Sequence, residues 1–274
     1  MSVKKEANGR RSVQVEFEVP GTPEEVWQAI ATGPGMSSWF VPTEIEVRDG
    51  TPVAVKVNFG GMEMRSEVTV WDPPRTFTRT AHGWLPGSPI IAGEWTVEAR
   101  DGGKCVVRIV QSLFASTDEW DTQLESATQG FASFLRLLQL YLTHFRGQRS
   151  AMTGLSAPAP GTDEESWKAL LAALGLKGMG LGQRFAAPAG VPPFSGVVEY
   201  YTDNPFDALL RLDRPAPGVA ALGIAGFPGG PSSVAMNLYL YGDQAATTLA
   251  RETPRWEAWF HERFPMPTEP SKSQ

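Results

Sequence analysis

Residues 13 to 19 alternate Val13, Val15, Phe17 and Val19 with Gln14, Glu16 and Glu18, a period of two that predicts a strand with one buried face. Pro20-Gly21 ends it. A capping box follows, in which the Thr22 hydroxyl can accept the amide three residues on while Glu25 reaches back to the Thr22 amide. Pro23 suits the first helical position, and the helix is expected to run to about Thr32, where Gly33-Pro34-Gly35 breaks it. From Pro42 to Phe114 the pattern is of strands: Glu44 to Arg48, Val53 to Phe59, Glu63 to Trp71, Thr76 to Ala81, Ile90 to Arg100 and Lys104 to Ser112. Turn signals such as Arg48-Asp49-Gly50, Gly60-Gly61 and Asp101-Gly102-Gly103 separate them, which predicts an antiparallel meander rather than a parallel, doubly wound sheet.

The longest helical period runs from Thr117 to about Arg146. Trp120, Leu124, Ala127, Phe131, Leu135, Leu138, Leu142 and Phe145 make its stripe, and Phe134, Leu137 and Tyr141 widen it, so the helix is expected to be covered on more than one side. Residues 147–161, rich in Gly, Ser and Pro, read as a linker. A second capping box, Thr162 to Glu165, again has a tryptophan in register, Trp167. After it come a helix to Leu174, strands near Ser195 to Tyr201, Ala208 to Leu212, Val219 to Ile224 and Val234 to Tyr241, and a helix from Asp243 to Phe264 that Pro254 is expected to kink. The expected organisation is therefore a domain over 1–146, a linker over 147–161 and a truncated copy over 162–274, without a strand ahead of its first helix.

Composition narrows the function classes. A net charge of -6 argues against nucleic acid as the main partner. Lys4, Lys5, Arg10 and Arg11 read as a small basic tail with no apolar stretch behind it, and no run is long enough to span a bilayer. The chain is expected to be cytoplasmic. With Cys105 as its single cysteine and 3 dispersed histidines, no disulfide, metal site or cofactor is expected.

Strand, short helix, meander and long terminal helix is the order of the helix-grip fold. The text from Val19-Pro20 through Glu25-Val26-Trp27 to Trp39-Phe40 resembles the opening of the family of activators of the heat-shock protein 90 ATPase, part of the START-like (SRPBCC) superfamily. Val70 to Phe77 resembles its hairpin, and Gly102-Gly103 through Val110-Gln111-Ser112 its last strand before the long helix. The resemblance covers residues 12 to 146 and is weak over 162–274. It implies an α+β fold in which a curved antiparallel sheet wraps round the terminal helix, with a cavity for an apolar or amphipathic ligand between them. The second half would be a smaller, degenerate copy.

Alternation then nominates residues. Phe77, Arg79 and Ala81 share one face of their strand, as do Val107, Ile109 and Gln111. If those faces turn to the helix, Arg79 and Gln111 are polar groups in an apolar hollow. A buried arginine needs a partner, which a ligand carboxylate or phenolate would supply; pairing with Glu63, Glu94 or a backbone carbonyl, or a place outside the hollow, is the plainer reading. Gln111 stands where the resembled family often has a histidine, which weakens an acid/base role there. Trp39, Phe40, Phe77, Trp95, Phe131, Phe134 and Tyr141 are candidate lining, with Met62 and Met64 as adaptable thioethers, although most large apolar residues serve simply as core. Trp84 belongs to the same aromatic set.

Catalytic templates are missing: there is no serine elbow, paired-histidine metal helix or phosphate loop, and Gly178 to Gly182 follows a helix rather than a strand. The leading expectation is a non-enzymatic carrier or sensor of a hydrophobic or amphipathic small molecule, with the second domain as lid or protein-partner surface. A polyketide cyclase or aromatase, working through Arg79, His82, Glu94 and Tyr141, is the alternative. A co-chaperone module with an exposed apolar patch is a third.

Overall fold

The computed structural model describes residues 3–82, 87, 89–115, 117–226 and 231–265, apart from the side chains of residues 123 and 126–129. Trp84 and the Ala127 side chain lie outside these. Two compact units emerge, Met1–Arg149 and Ser150–Gln274.

The first unit runs β1 (Lys4–Lys5), β2 (Arg10–Pro20), α1 (Pro23–Ile30), α2 (Gly33–Ser37), β3 (Thr43–Arg48), β4 (Thr51–Phe59), β5 (Met62–Asp72), β6 (Thr76–His82), β7 (Ile90–Arg100), β8 (Lys104–Phe114) and α3 (Asp121–His144). Its eight strands form an antiparallel sheet in the order β1-β2-β8-β7-β6-β5-β4-β3. The meander from β3 to β8 returns beside β2, which closes the circuit and leaves α3 to pack over one sheet face. Trp95 of β7 meets Phe131 of α3 edge-on at 6.3 Å, and Arg136 lies 5.0 Å over the Phe17 ring of β2. Those contacts identify the sheet face that carries Phe17, Phe77 and Trp95 as the inner one.

Local signals explain the ends of the elements. The Glu25 amide donates to the Thr22 hydroxyl at 3.3 Å and the Thr22 amide to the Glu25 carboxylate at 2.9 Å, completing the capping box. Gly33-Pro34-Gly35 does end α1, but it opens α2 rather than a loop, because Thr32 accepts the Gly35 amide at 3.0 Å. Gly35 is required there: a Cβ on it would fall 1.9 Å from the Gln28 carbonyl oxygen. The basic tail is also structured. Lys5 pairs with Asp118 and Asp121, and Arg11, 7% exposed, bonds the same two carboxylates at 2.7 and 2.6 Å, holding the start of α3 to the sheet edge.

The second unit repeats the circuit: β9 (Ser150–Pro158), α4 (Asp163–Ala173), β10 (Arg184–Ala186), β11 (Ser195–Asp203), β12 (Phe206–Arg214), β13 (Gly218–Ala225), β14 (Ser233–Tyr241) and α5 (Ala245–Arg263). The six strands lie in the order β10-β11-β12-β13-β14-β9, so the opening strand again pairs with the last. This corrects the linker expected over 147–161. Most of that stretch is β9, paired with β14 from Ser150↔Tyr241 to Pro158↔Ser233, and the strand thought missing from the copy is present. Its side chains are small and only Leu155 and Ala157 enter the core, so nothing in its own alternation announces a strand. α5 passes through Pro254 without a break, the Thr253 hydroxyl donating to the Leu249 carbonyl at 2.9 Å. No helix among the described residues is long and apolar enough to cross a membrane.

Candidate functional site

Sheet register sets Arg79 on a defined row. Val68 of β5, Arg79 of β6, Gly93 of β7, Gln111 of β8 and Val13 of β2 lie directly opposite one another across successive strands. Directly opposed residues share a face, so the row belongs with Phe77 and Trp95, two residues along each strand, on the side toward α3. One flank of the row is aromatic: Phe77 stacks on Trp95 at 5.7 Å with 12° between the rings, and Trp27 closes on Phe77 at 5.7 Å. On the other side Leu113 and Leu124 cluster with Val13 of the row itself and fasten the first turns of α3. Between the flanks the inner surface offers a guanidinium, a glycine and a carboxamide.

Arg79 is only half-buried by surface, yet burial alone pulls its guanidinium from the usual arginine range to about 10. Among the described residues no carboxylate, carbonyl or hydroxyl bonds to it. Glu94 cannot, since it alternates with Gly93 and Trp95 onto the outer face and is exposed; Glu63 is exposed as well. Gln111 is half-buried and likewise shows no hydrogen bond within the described residues. A cation in that position is costly unless something pairs with it, and at neutral pH a group of pKa about 10 remains charged. The arrangement can hold an anion in a low-dielectric setting.

The other nominated residues divide into two groups. Trp39 (1% exposed) and Phe77 (1%) are packing: the Trp39 indole donates to the Ala29 carbonyl at 2.9 Å, and Phe77 is walled by Trp27, Trp71 and Trp95. Phe40 joins Phe59 and Phe134, its ring 4.5 Å from that of Phe134. Tyr141 is buried at the far end of α3, where its hydroxyl donates to the Gln148 carbonyl and accepts the Gly147 amide, each at 3.2 Å. Met62 is 43% exposed beside the β4–β5 turn, although it shares the inner face with half-buried Met64. Phe131 and Phe134 keep part of their rings uncovered on α3. Of the four groups named for a cyclase, Arg79 alone is on the inner row: His82 and Glu94 are exposed and Tyr141 is engaged at the helix end.

Sequence reasoning overlooked Gly93. Its only signal is a glycine inside an alternating strand, which marks a bulge or a place where something approaches closely. Register puts it between Arg79 and Gln111. The second unit offers a different opening, a groove of about 580 Å³ beside β10 that includes Arg184, Phe185, Pro192, Phe194 and Arg214. It lies at the surface, and Arg184 already pairs with Asp213.

An antiparallel sheet closed over a long terminal helix defines the helix-grip class of α+β fold. Residues 10–133 match the family model described as polyketide cyclase / dehydrase and lipid transport. Among curated proteins none matches the chain. Similar solved structures include a Mesorhizobium loti protein at 19% identity, covering 49% of this chain and 98% of its own, with a TM-score of 0.43. A di-domain ARO/CYC from the BE-7585A biosynthetic pathway is 14% identical over 94% of this chain and 100% of its own, with a TM-score of 0.44. The Aha1 dimer of Colwellia psychrerythraea is 20% identical over 50% of this chain and 98% of its own, with a TM-score of 0.38.

Proposed function

We propose that the first unit binds an amphipathic, largely apolar small molecule that carries an acidic group, in the space between the sheet and α3. Arg79 supports this reading more than any other observation: a guanidinium without a partner among the described residues, on a face it shares with aromatic and aliphatic side chains and Gln111. A ligand carboxylate or phenolate would pair with it, Gln111 would hydrogen-bond a neighbouring oxygen, and Phe131, Phe134 and Met64 would cover the apolar body. The protein is then a carrier or sensor, and the second unit a support or protein-docking surface. The description of the matched family, which includes lipid transport, agrees with a carrier.

The same description favours a second reading, a polyketide cyclase. In it Arg79 stabilises an enolate as charge develops, the kind of task that fixed positive groups perform in a dry site. The general acid or base would then come from the substrate, water or groups outside the described residues, because His82, Glu94 and Tyr141 point elsewhere. The co-chaperone reading needs a contiguous apolar patch, and the exposed large apolar residues described in the first unit, Val47, Met62, Val70, Ile90 and Phe114, are spread over four strands.

Native mass spectrometry of the full chain tests the leading reading. An added mass that organic extraction removes, present in wild type and absent from Arg79→Met, is the expected result. Retention of the same mass by Arg79→Met would overturn it.

A further inference from the structure

Two glycines sit where glycine weakens the fold and where no described atom makes use of the space. Gly93 is buried in the middle of β7, and Gly130 is in the interior of α3. Glycine loses backbone entropy in strands and helices alike, so it normally stays inside such elements because another group comes close. The second unit shows that ordinary case. A Cβ on Gly196 would fall 1.9 Å from the Arg211 carbonyl oxygen, and one on Gly218 would fall 2.4 Å from that of Tyr239. A Cβ on Gly93 would meet only the Arg79 carbonyl oxygen, at 4.0 Å, and one on Gly130 would meet nothing within 4 Å among the described residues. Neither glycine has the left-handed backbone that would exclude a side chain, so conformation does not account for them either.

Gly130 precedes Phe134, Leu137 and Tyr141 by one, two and three turns, so it lies on the side of α3 that reaches Phe40. Gly93 is flanked across the sheet by Arg79 and Gln111, two strands apart and so roughly 10 Å from each other. A strand residue without a side chain presents its flat amide surface, and the next row continues that surface with the stacked Phe77 and Trp95 rings.

We infer that Gly93 and Gly130 determine specificity: they hold open a slot across β7 in which a flat segment of the ligand lies, its acidic group between Arg79 and Gln111. This rests on the binding reading above. It adds that shape, and not only charge, selects the ligand.

The test compares two acids of like charge and similar carbon number, 2-naphthoate and decanoate, titrated calorimetrically into the full chain. Wild type is expected to bind both. Gly93→Val fills the slot and should raise the Kd for 2-naphthoate about tenfold or more, as overpacking a filled site does, while decanoate, which can bend past the valine, shifts by less than about threefold. Gly93→Ala and Gly130→Ala should move in the same direction by less, and Gly130→Ala should melt no lower than wild type; these two keep the test open if Gly93→Val fails to fold. Arg79→Gln should weaken both acids alike. If Arg79→Gln weakens both and the glycine variants leave 2-naphthoate unchanged, or weaken the two acids equally, the slot is wrong and the binding reading stands. If Arg79→Gln changes neither, or wild type binds neither, the binding reading falls and the slot with it.

Discussion

The two units follow one circuit and differ in what they put inside it. Each has an opening strand, a helix started by a Thr-x-x-Glu capping box, a meander returning beside the opening strand, and a terminal helix. In the second unit the interior is solid: Trp167, Trp256, Phe260 and Phe264 are at most 1% exposed, and leucines from four strands and both helices fill the rest. In the first unit the corresponding region holds Arg79, Gly93 and Gln111 on the sheet and Gly130 on the helix. The same circuit therefore carries different residues on its inner face in the two units.

The sharpest way to break this contrast is to remove a large ring from each side. Trp256→Ala should destabilise the second unit by about 3–5 kcal/mol, because a fully buried ring leaves a cavity that the packed surroundings cannot close. Phe131→Ala, at a half-buried ring, should destabilise the first unit by only about 1 kcal/mol. Urea unfolding followed by hydrogen exchange, which resolves the units separately, measures both. Equal losses would mean that the first unit is as tightly filled as the second.

The next effect is opposite in sign. Arg79→Met should stabilise the first unit by about 1–3 kcal/mol, since it replaces a charge with no partner among the described residues by an apolar side chain of similar length. The guanidinium has a lower pKa folded, about 10, than unfolded, so its cost is present in full below about 10 and is relieved as pH rises through that value. The stability gap between variant and wild type should therefore narrow between roughly pH 9 and pH 11. A stable unit that has lost its ligand is the trade expected where a site is held at the expense of stability. A less stable Arg79→Met, with a gap indifferent to pH, would mean that Arg79 is satisfied by the fold itself.

How much of this can be read in the chain depends on whether a feature leaves a positive pattern. β2, β8 and α3 announce themselves because large apolar residues recur at the right period, and the inner placement of Arg79 follows from Phe77 two residues before it. β9 is silent because its register is imposed by β14 rather than by its own Ser, Ala and Gly residues. β10 has only three residues, and α2 is hidden in a Gly-Pro-Gly sequence that reads as a breaker until Thr32 is seen to cap it. The empty positions are the hardest. Glycines at 93 and 130 look like those at 196 and 218 in a sequence, and only the atoms around them show that, among the described residues, one pair is crowded and the other is not.

The smallest expected effect concerns what the units share. Thr22 and Thr162 accept the amide three residues on at 3.3 and 3.2 Å, and each donates its own amide to a glutamate at 2.9 Å. Thr22→Ala and Thr162→Ala should each cost about 1 kcal/mol, and nearly the same amount, because a cap acts on the local backbone and does not sense whether the interior is filled. Backbone donation from the threonine is the main reason that Glu25 and Glu165 are held below the usual carboxylate range; Arg146 also acts on Glu25, and the Thr162 hydroxyl on Glu165. A depressed carboxylate contributes stability above its unfolded pKa and loses it as pH falls through the folded one, so the glutamate half of each box should weaken together in mild acid. Thermal melts of both variants at neutral and acid pH check this. A cap that mattered much more in one unit than in the other would show that the first turn is coupled to the interior, and the difference between the units would then begin at the helix start rather than at the inner face of the sheet.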